Sequence, residues 1–90
     1  MFYTSQDHPD LIEYPIPGTI YKHYKGGYYI VLFLSKHSEN GETLVNYQSL
    51  LFGSYHSNPL DHWNSPVIMK KMKKVRYEKT SLKETDFKKI

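Results

Sequence analysis

From Thr19 onward, apolar and polar residues alternate in short runs separated by glycine-containing breaks. Thr19 to Lys25 is one run and Tyr28 to His37 a second. Alternation of this kind directs one face of a strand toward a core. Gly26-Gly27 stands between the two runs and suits a two-residue primed turn, because both positions can take positive φ. Ser38-Glu39-Asn40-Gly41 follows, and Asn-Gly is the strongest short hairpin signal. Thr43 to Leu51 forms a third run. After Gly53, Tyr55 to Asn58 reads as a short fourth strand, and Pro59 to Trp63 as one helical turn with proline at its start. Lys74 to Lys79 alternates again and reads as a last strand. Three prolines, Pro9, Pro15 and Pro17, make residues 1–17 read as an irregular arm. The charged tail, 81–90, carries a weak capping-box pattern in Ser81 and Glu84. The expectation is an all-β domain over residues 18–80, either a small SH3-like barrel or a strongly bent antiparallel meander, with one short helical turn.

Turn lengths then assign faces. With Asn40-Gly41 as a two-residue loop, Lys36 faces Val45, Leu34 faces Tyr47 and Leu32 faces Ser49, which reads as the core side. His37, Ser35 and Phe33 then face Leu44, Asn46 and Gln48 on a more polar side. That register also sets Glu39 against Glu42, which is unfavourable, so a longer loop with a shifted register is the alternative. With Gly26-Gly27 as a two-residue loop, His23 joins the Leu32, Leu34 and Tyr47 face, and a one-residue bulge would reverse this. The segment YKHYKGGYY, Tyr21 to Tyr29, is therefore split between two faces, and its aromatic residues cannot all form one reading surface.

Composition bounds the chemistry. Ninety residues without cysteine make one domain with no disulfide, thiolate zinc site or cysteine nucleophile. The polar start, MFYTSQDHPD, is unlike a signal peptide, and the longest apolar run is too short to span a bilayer. These features suggest a soluble, cytoplasmic protein with no membrane partner. The net charge of +3 conceals an asymmetry: residues 1–67 carry three lysines against six acids, and residues 68–90 carry nine basic residues against three acids. A basic terminal quarter suits a polyanion partner, and it equally suits a solvated tail.

Several spaced motifs occur in one order: Tyr21-Lys22-His23-Tyr24-Lys25-Gly26-Gly27, Lys36-His37-Ser38-Glu39, Gly41-Glu42, Leu44-Val45-Asn46-Tyr47 with Leu50-Leu51, and Pro59-Leu60-Asp61-His62-Trp63. Over residues 19–78 the chain resembles DUF1653, a small bacterial and phage domain family of unknown function. In that family the motifs read roughly Y-R-H-F-K-G-G, R-H-S-E, G-E, L-V-x-Y-x-x-L-Y and R-P-L-x-x-F. Two departures stand out. The family's W-V-R-P becomes His56-Ser57-Asn58-Pro59, and its late V-P-R-F becomes Val75-Arg76-Tyr77 without the proline. The resemblance implies a compact β domain and no established activity.

Candidate chemistry follows from the residue types. His8, His23, His37, His56 and His62 lack the spacing of a helical zinc site. No nucleophile elbow, phosphate loop or carboxylate pair suggests an enzyme. Binding is the better expectation. Tyrosine and tryptophan offer flat amphipathic surface, lysines meet phosphates, and His, Asn and Gln supply directed hydrogen bonds. The candidate ligand-binding residues are Tyr21, His23, Lys25 and His37, together with Asn46, Tyr47, Gln48 and Trp63. The expected ligand is small and anionic, nucleotide-derived in the first instance, held without a cofactor or metal and sequestered rather than transformed. The same aromatic residues also suit a tyrosine-rich core with polar ends. The alternatives are RNA or DNA bound through the basic C-terminal segment, and a protein-interaction module that blocks a host factor. A small core also gives such a domain reason to form a homo-oligomer.

Overall fold

The computed structural model describes residues 2–5 and 8–87, those before Tyr14 by backbone alone. In chain order the strands are β1 (Phe2–Ser5), β2 (His8–Glu13), β3 (Ile20–His23), β4 (Tyr28–Lys36), β5 (Thr43–Ser49), β6 (Tyr55–Pro59), β7 (Val67–Met69), β8 (Met72–Lys74) and β9 (Tyr77–Lys79). The helical turn α1 (Leu60–Trp63) follows β6 directly, and a 3-10 helix spans Glu84–Phe87. Five strands form one antiparallel sheet in the order β6-β5-β4-β3-β9. β6 and β9 are its two edges, so the sheet is an open, curled meander rather than a closed barrel.

The N-terminal arm is more regular than its prolines suggest: β1 and β2 pair as an antiparallel hairpin. Pairing passes from Thr4↔Leu11 to Ser5↔His8, so Pro9 and Asp10 fall in the irregularity between them. A two-stranded ribbon has free edges, and a bulge is where a strand tolerates a residue without an N–H.

Both expected two-residue turns are longer. The β3–β4 loop has three residues, Tyr24 to Gly26, between Lys22↔Tyr28 and the His23–Gly27 bond. The β4–β5 loop has four, Ser38 to Gly41, closed by the His37 N–H on the Glu42 carbonyl at 2.8 Å. Glu39 and Glu42 therefore do not oppose each other, and Lys36 pairs with Thr43. Leu32 is the extra residue of a β-bulge, since the register shifts between Val31↔Tyr47 and Phe33↔Asn46. A bulge sharpens strand twist, and here it bends the sheet's longest strand.

The bulge and the three-residue loop each invert facing, so their effects on β3 cancel. His23 and Tyr21 do share the Tyr47 face as expected, but Val31 and Tyr29 occupy the core positions that Leu32 was expected to take. That concave face is covered by α1. Its core is Tyr21, Val31, Val45, Tyr47, Leu60 and Trp63, all buried. Trp63 stacks on Tyr77 with ring centroids 3.7 Å apart and planes 2° from parallel. One ring comes from the chain just after edge strand β6 and the other from edge strand β9. Side chains thus join the two edges that backbone pairing leaves apart. Truncating a buried tryptophan typically costs about 3–5 kcal/mol, which makes this stack a principal tie of the curl.

The tail is also more structured than expected. Thr80 bonds the Ile20 carbonyl through both its N–H and its Oγ. Phe87 lies 5.3 Å from the Tyr28 ring, so the 3-10 helix rests on the convex face. Its cap differs from the Ser81/Glu84 pairing: the Asp86 carboxylate accepts the Lys83 N–H at 2.9 Å. Lys74 belongs to the β7–β8 ribbon, and the last strand is only Tyr77–Lys79.

Candidate anion-binding rim

His23 ends β3 and begins the three-residue loop. Its N–H bonds the Gly27 carbonyl at 2.7 Å, and its carbonyl accepts the Gly26 N–H at 2.7 Å. The imidazole Nδ1 accepts the Lys25 N–H at 3.2 Å, so neutral His23 carries its proton on Nε2. Partial burial, then the charges of Arg76 and Lys25, hold its pKa below the ordinary histidine value. The ring packs against Tyr24 at 4.5 Å and Tyr77 at 4.9 Å.

The chain between β8 and β9 runs alongside this loop. The Tyr24 N–H bonds the Arg76 carbonyl at 2.9 Å. The Arg76 guanidinium and the Lys25 ammonium each lie 5.7 Å from the centre of the Tyr24 ring. Arg76 Nε also donates to the Ser65 carbonyl and hydroxyl, at 3.3 and 3.2 Å. Beside them is a depression of about 380 Å³ lined by Lys22, His23, Tyr24, Lys74, Val75 and Glu78. One acid faces two lysines there, with Lys25 and Arg76 at the rim. Cations beside aromatic faces suit an anion that carries a flat group.

The expected ligand residues separate into three places. Tyr21, Tyr47 and Trp63 are core, with 2%, 8% and 3% exposure, and have little surface left for a ligand. Asn46 and Gln48 point from the convex face. Asn46 bonds Ser35 and Ser57, and Gln48 donates to the Gly53 carbonyl. His37 lies at the distant β4–β5 tip, where its Nδ1 accepts the Glu39 N–H at 3.1 Å. Only His23 and Lys25 remain at one place. Lys22, Tyr24, Lys74 and Arg76 complete that place and were absent from the expectation. The pairing of β9 with β3 brings the basic C-terminal quarter there, and no local pattern announces that pairing.

Below the rim, the Tyr77 hydroxyl lies 3.3 Å from that of Tyr47. Burial, then the bond to Tyr47, push its pKa up, while a bond to Asn58 opposes this. Tyr77 is thus a neutral phenol at physiological pH. His56 stacks on Tyr47 at 5.4 Å, and its Nε2 is 2.8 Å from Ser54 Oγ. Among the described residues no group of three or more His, Asp or Glu is placed to hold a metal. No helix among them is long and apolar enough to cross a membrane.

Fold and rim together define a small curled antiparallel sheet with one helical turn over its concave side and a basic, aromatic lip at one edge. The family profile described as "Protein of unknown function (DUF1653)" matches residues 19–79, and the chain belongs to that family. It is similar to the crystal structure of a protein belonging to DUF1653 from Bordetella bronchiseptica. The two share 30% identity with a TM-score of 0.62, over 70% of this chain and 83% of that one. The comparison with curated proteins gave no match.

Proposed function

We propose that this protein binds a small anionic ligand bearing an aromatic ring, of the nucleotide type, at the rim formed by the β3–β4 loop and the β8–β9 connection. The observation that carries this reading is the convergence of Lys22, Lys25, Lys74 and Arg76 around the His23–Tyr24 ring pair, beside a depression of about 380 Å³. Phosphate groups meet the lysines, and His23 Nε2–H is a directed donor. The base lies against Tyr24 or His23. Binding of this kind sequesters a ligand and needs no bond-making step. The test is thermal shift against mono-, di- and cyclic nucleotides. A native-state ligand at a hundredfold excess over its Kd adds about 2.7 kcal/mol. The shift should disappear in Lys22→Ser/Lys74→Ser and persist in Asn46→Ala. A flat panel overturns the reading.

A second reading, binding of RNA or DNA, is favoured by the β7–β8 ribbon. It carries Lys70, Lys71, Lys73 and Lys74, and its turn residues Lys70 and Lys71 hold φ of +49° and +64°. Left-handed backbone at a non-glycine residue costs roughly 1–2 kcal/mol, so strain presents two lysines where Asn-Gly would sit more easily. Lys70→Asn/Lys71→Gly should stabilise the chain and weaken polynucleotide binding. Wild-type affinity for a polynucleotide should fall steeply with salt.

A further inference from the structure

The two edges of the sheet are protected unequally. β9 is three residues long and carries Glu78 and Lys79. β6 is five residues long, Tyr55-His56-Ser57-Asn58-Pro59, and has no formally charged side chain and no bulge in its pairing with β5. Natural edge strands are usually blunted by charge, bulges, internal proline or a covering element. β6 has proline only at its last position.

The hydrogen-bond phase shows what β6 offers. The Ser49 N–H bonds the Ser54 carbonyl at 2.9 Å, so 49/54 is a hydrogen-bonded pair. Antiparallel pairs alternate, which turns the backbone groups of His56 and Asn58 toward β5 and those of Tyr55, Ser57 and Pro59 outward. Apolar surface adjoins this edge. Tyr55 is 73% exposed, and the preceding loop presents Leu51 and Phe52 at 76% and 81%. Phe33 and Tyr55 also line a mostly apolar depression of about 300 Å³ with Asn46 and Ser57.

We propose that β6 is a homodimer interface, formed by antiparallel pairing of β6 with β6 of a second copy about a two-fold axis at Ser57. The outward backbone is self-complementary in this register. Ser57 opposes Ser57 and exchanges two N–H···O bonds. Each Tyr55 N–H meets the partner copy's Pro59 carbonyl, the one outward position whose missing N–H would spoil other pairings. His56 falls opposite Asn58 and Tyr55 opposite Pro59, so no like charges meet, and an aromatic ring covers a proline. A second copy is favoured over a peptide of unspecified sequence because the strand is uncharged while the rest of the chain is charged. The interface lies at the opposite edge of the sheet from β9 and the basic rim, so it stands or falls independently of the ligand reading.

The experiment is light scattering after size exclusion, with sedimentation, on the full chain across a dilution series reaching about 1 mM. The expected wild-type mass is twice 10.7 kDa, decreasing on dilution. Ser57→Pro removes an outward N–H without touching the β5 ladder, and Ser57→Lys places a charge at the axis. Each should weaken association by at least about tenfold, with near-ultraviolet circular dichroism retained. Glu78→Pro, on the other edge, should leave the dimer intact. A wild type that stays monomeric throughout overturns the proposal, whatever else binds the edge. So does a dimer that both folded Ser57 variants preserve.

Discussion

The loops after β4 and β5 share one geometry and little chemistry. Each has four residues, Ser38 to Gly41 and Leu50 to Gly53. Each ends in a glycine of positive φ, +71° and +76°, whose N–H returns to the carbonyl that begins the loop, at 2.9 and 2.8 Å. In each, the side chain of the residue before the loop accepts a loop N–H: His37 Nδ1 from Glu39, and Ser49 Oγ from Phe52. Yet one tip carries Ser-Glu-Asn, and the other exposes Leu51 and Phe52. The shared frame needs an acceptor at the start and glycine at the end. The residues between are left to other selection, and the apolar tip adjoins the uncharged edge.

That equivalence can be tested in order of expected effect. Gly41→Ala and Gly53→Ala should each cost about 1–2 kcal/mol in denaturant unfolding. A Cβ at either glycine meets nothing within 4 Å, so the cost is backbone strain alone and should match at the two sites. A large inequality would break the comparison. Ser49→Ala and His37→Ala each leave a loop N–H without its acceptor and should cost about 1 kcal/mol. Ser49 should cost more, because it is only 3% exposed.

The β3–β4 loop uses the same imidazole device through His23, which gives a pH test. The His23 pKa is lowered on folding, so the unfolded chain binds more protons once pH falls toward 6.5. Its contribution is complete above that value and declines as pH falls below it. The melting temperature should therefore drop between pH 7.5 and 5, less so in His23→Gln. Equal slopes would sink this assignment. The smallest effect belongs to Leu51→Ser/Phe52→Ser. Monomer stability should stay within about 0.5 kcal/mol of wild type, while self-association changes.

The strands, the helical turn and the core face of β5 were legible because alternation and turn residues are local signals. Register was less so. Asn40-Gly41 marked a turn without giving its length, and the Leu32 bulge has no glycine to announce it. The β7–β8 ribbon turns on two lysines, which no turn rule selects. For the rim, tyrosine and tryptophan read alike whether they pack or bind. Tyr47 and Trp63 went to the core because α1 folds back over the sheet. Lys74 and Arg76 reached the rim through a pairing that spans most of the chain.

That pairing, Tyr21↔Lys79, also orders assembly during synthesis. The β3–β4, β4–β5 and β5–β6 hairpins join neighbours in sequence and can close soon after each emerges from the ribosome. The outer side of β3 waits for the last strand, and Trp63 waits for Tyr77. Until residue 79 has been made, the nascent domain is a half-curled sheet with both edges unpaired and its tryptophan uncovered. The final dozen residues work as a clasp, so a stop codon shortly before Tyr77 should release a chain that holds its hairpins but not its curl.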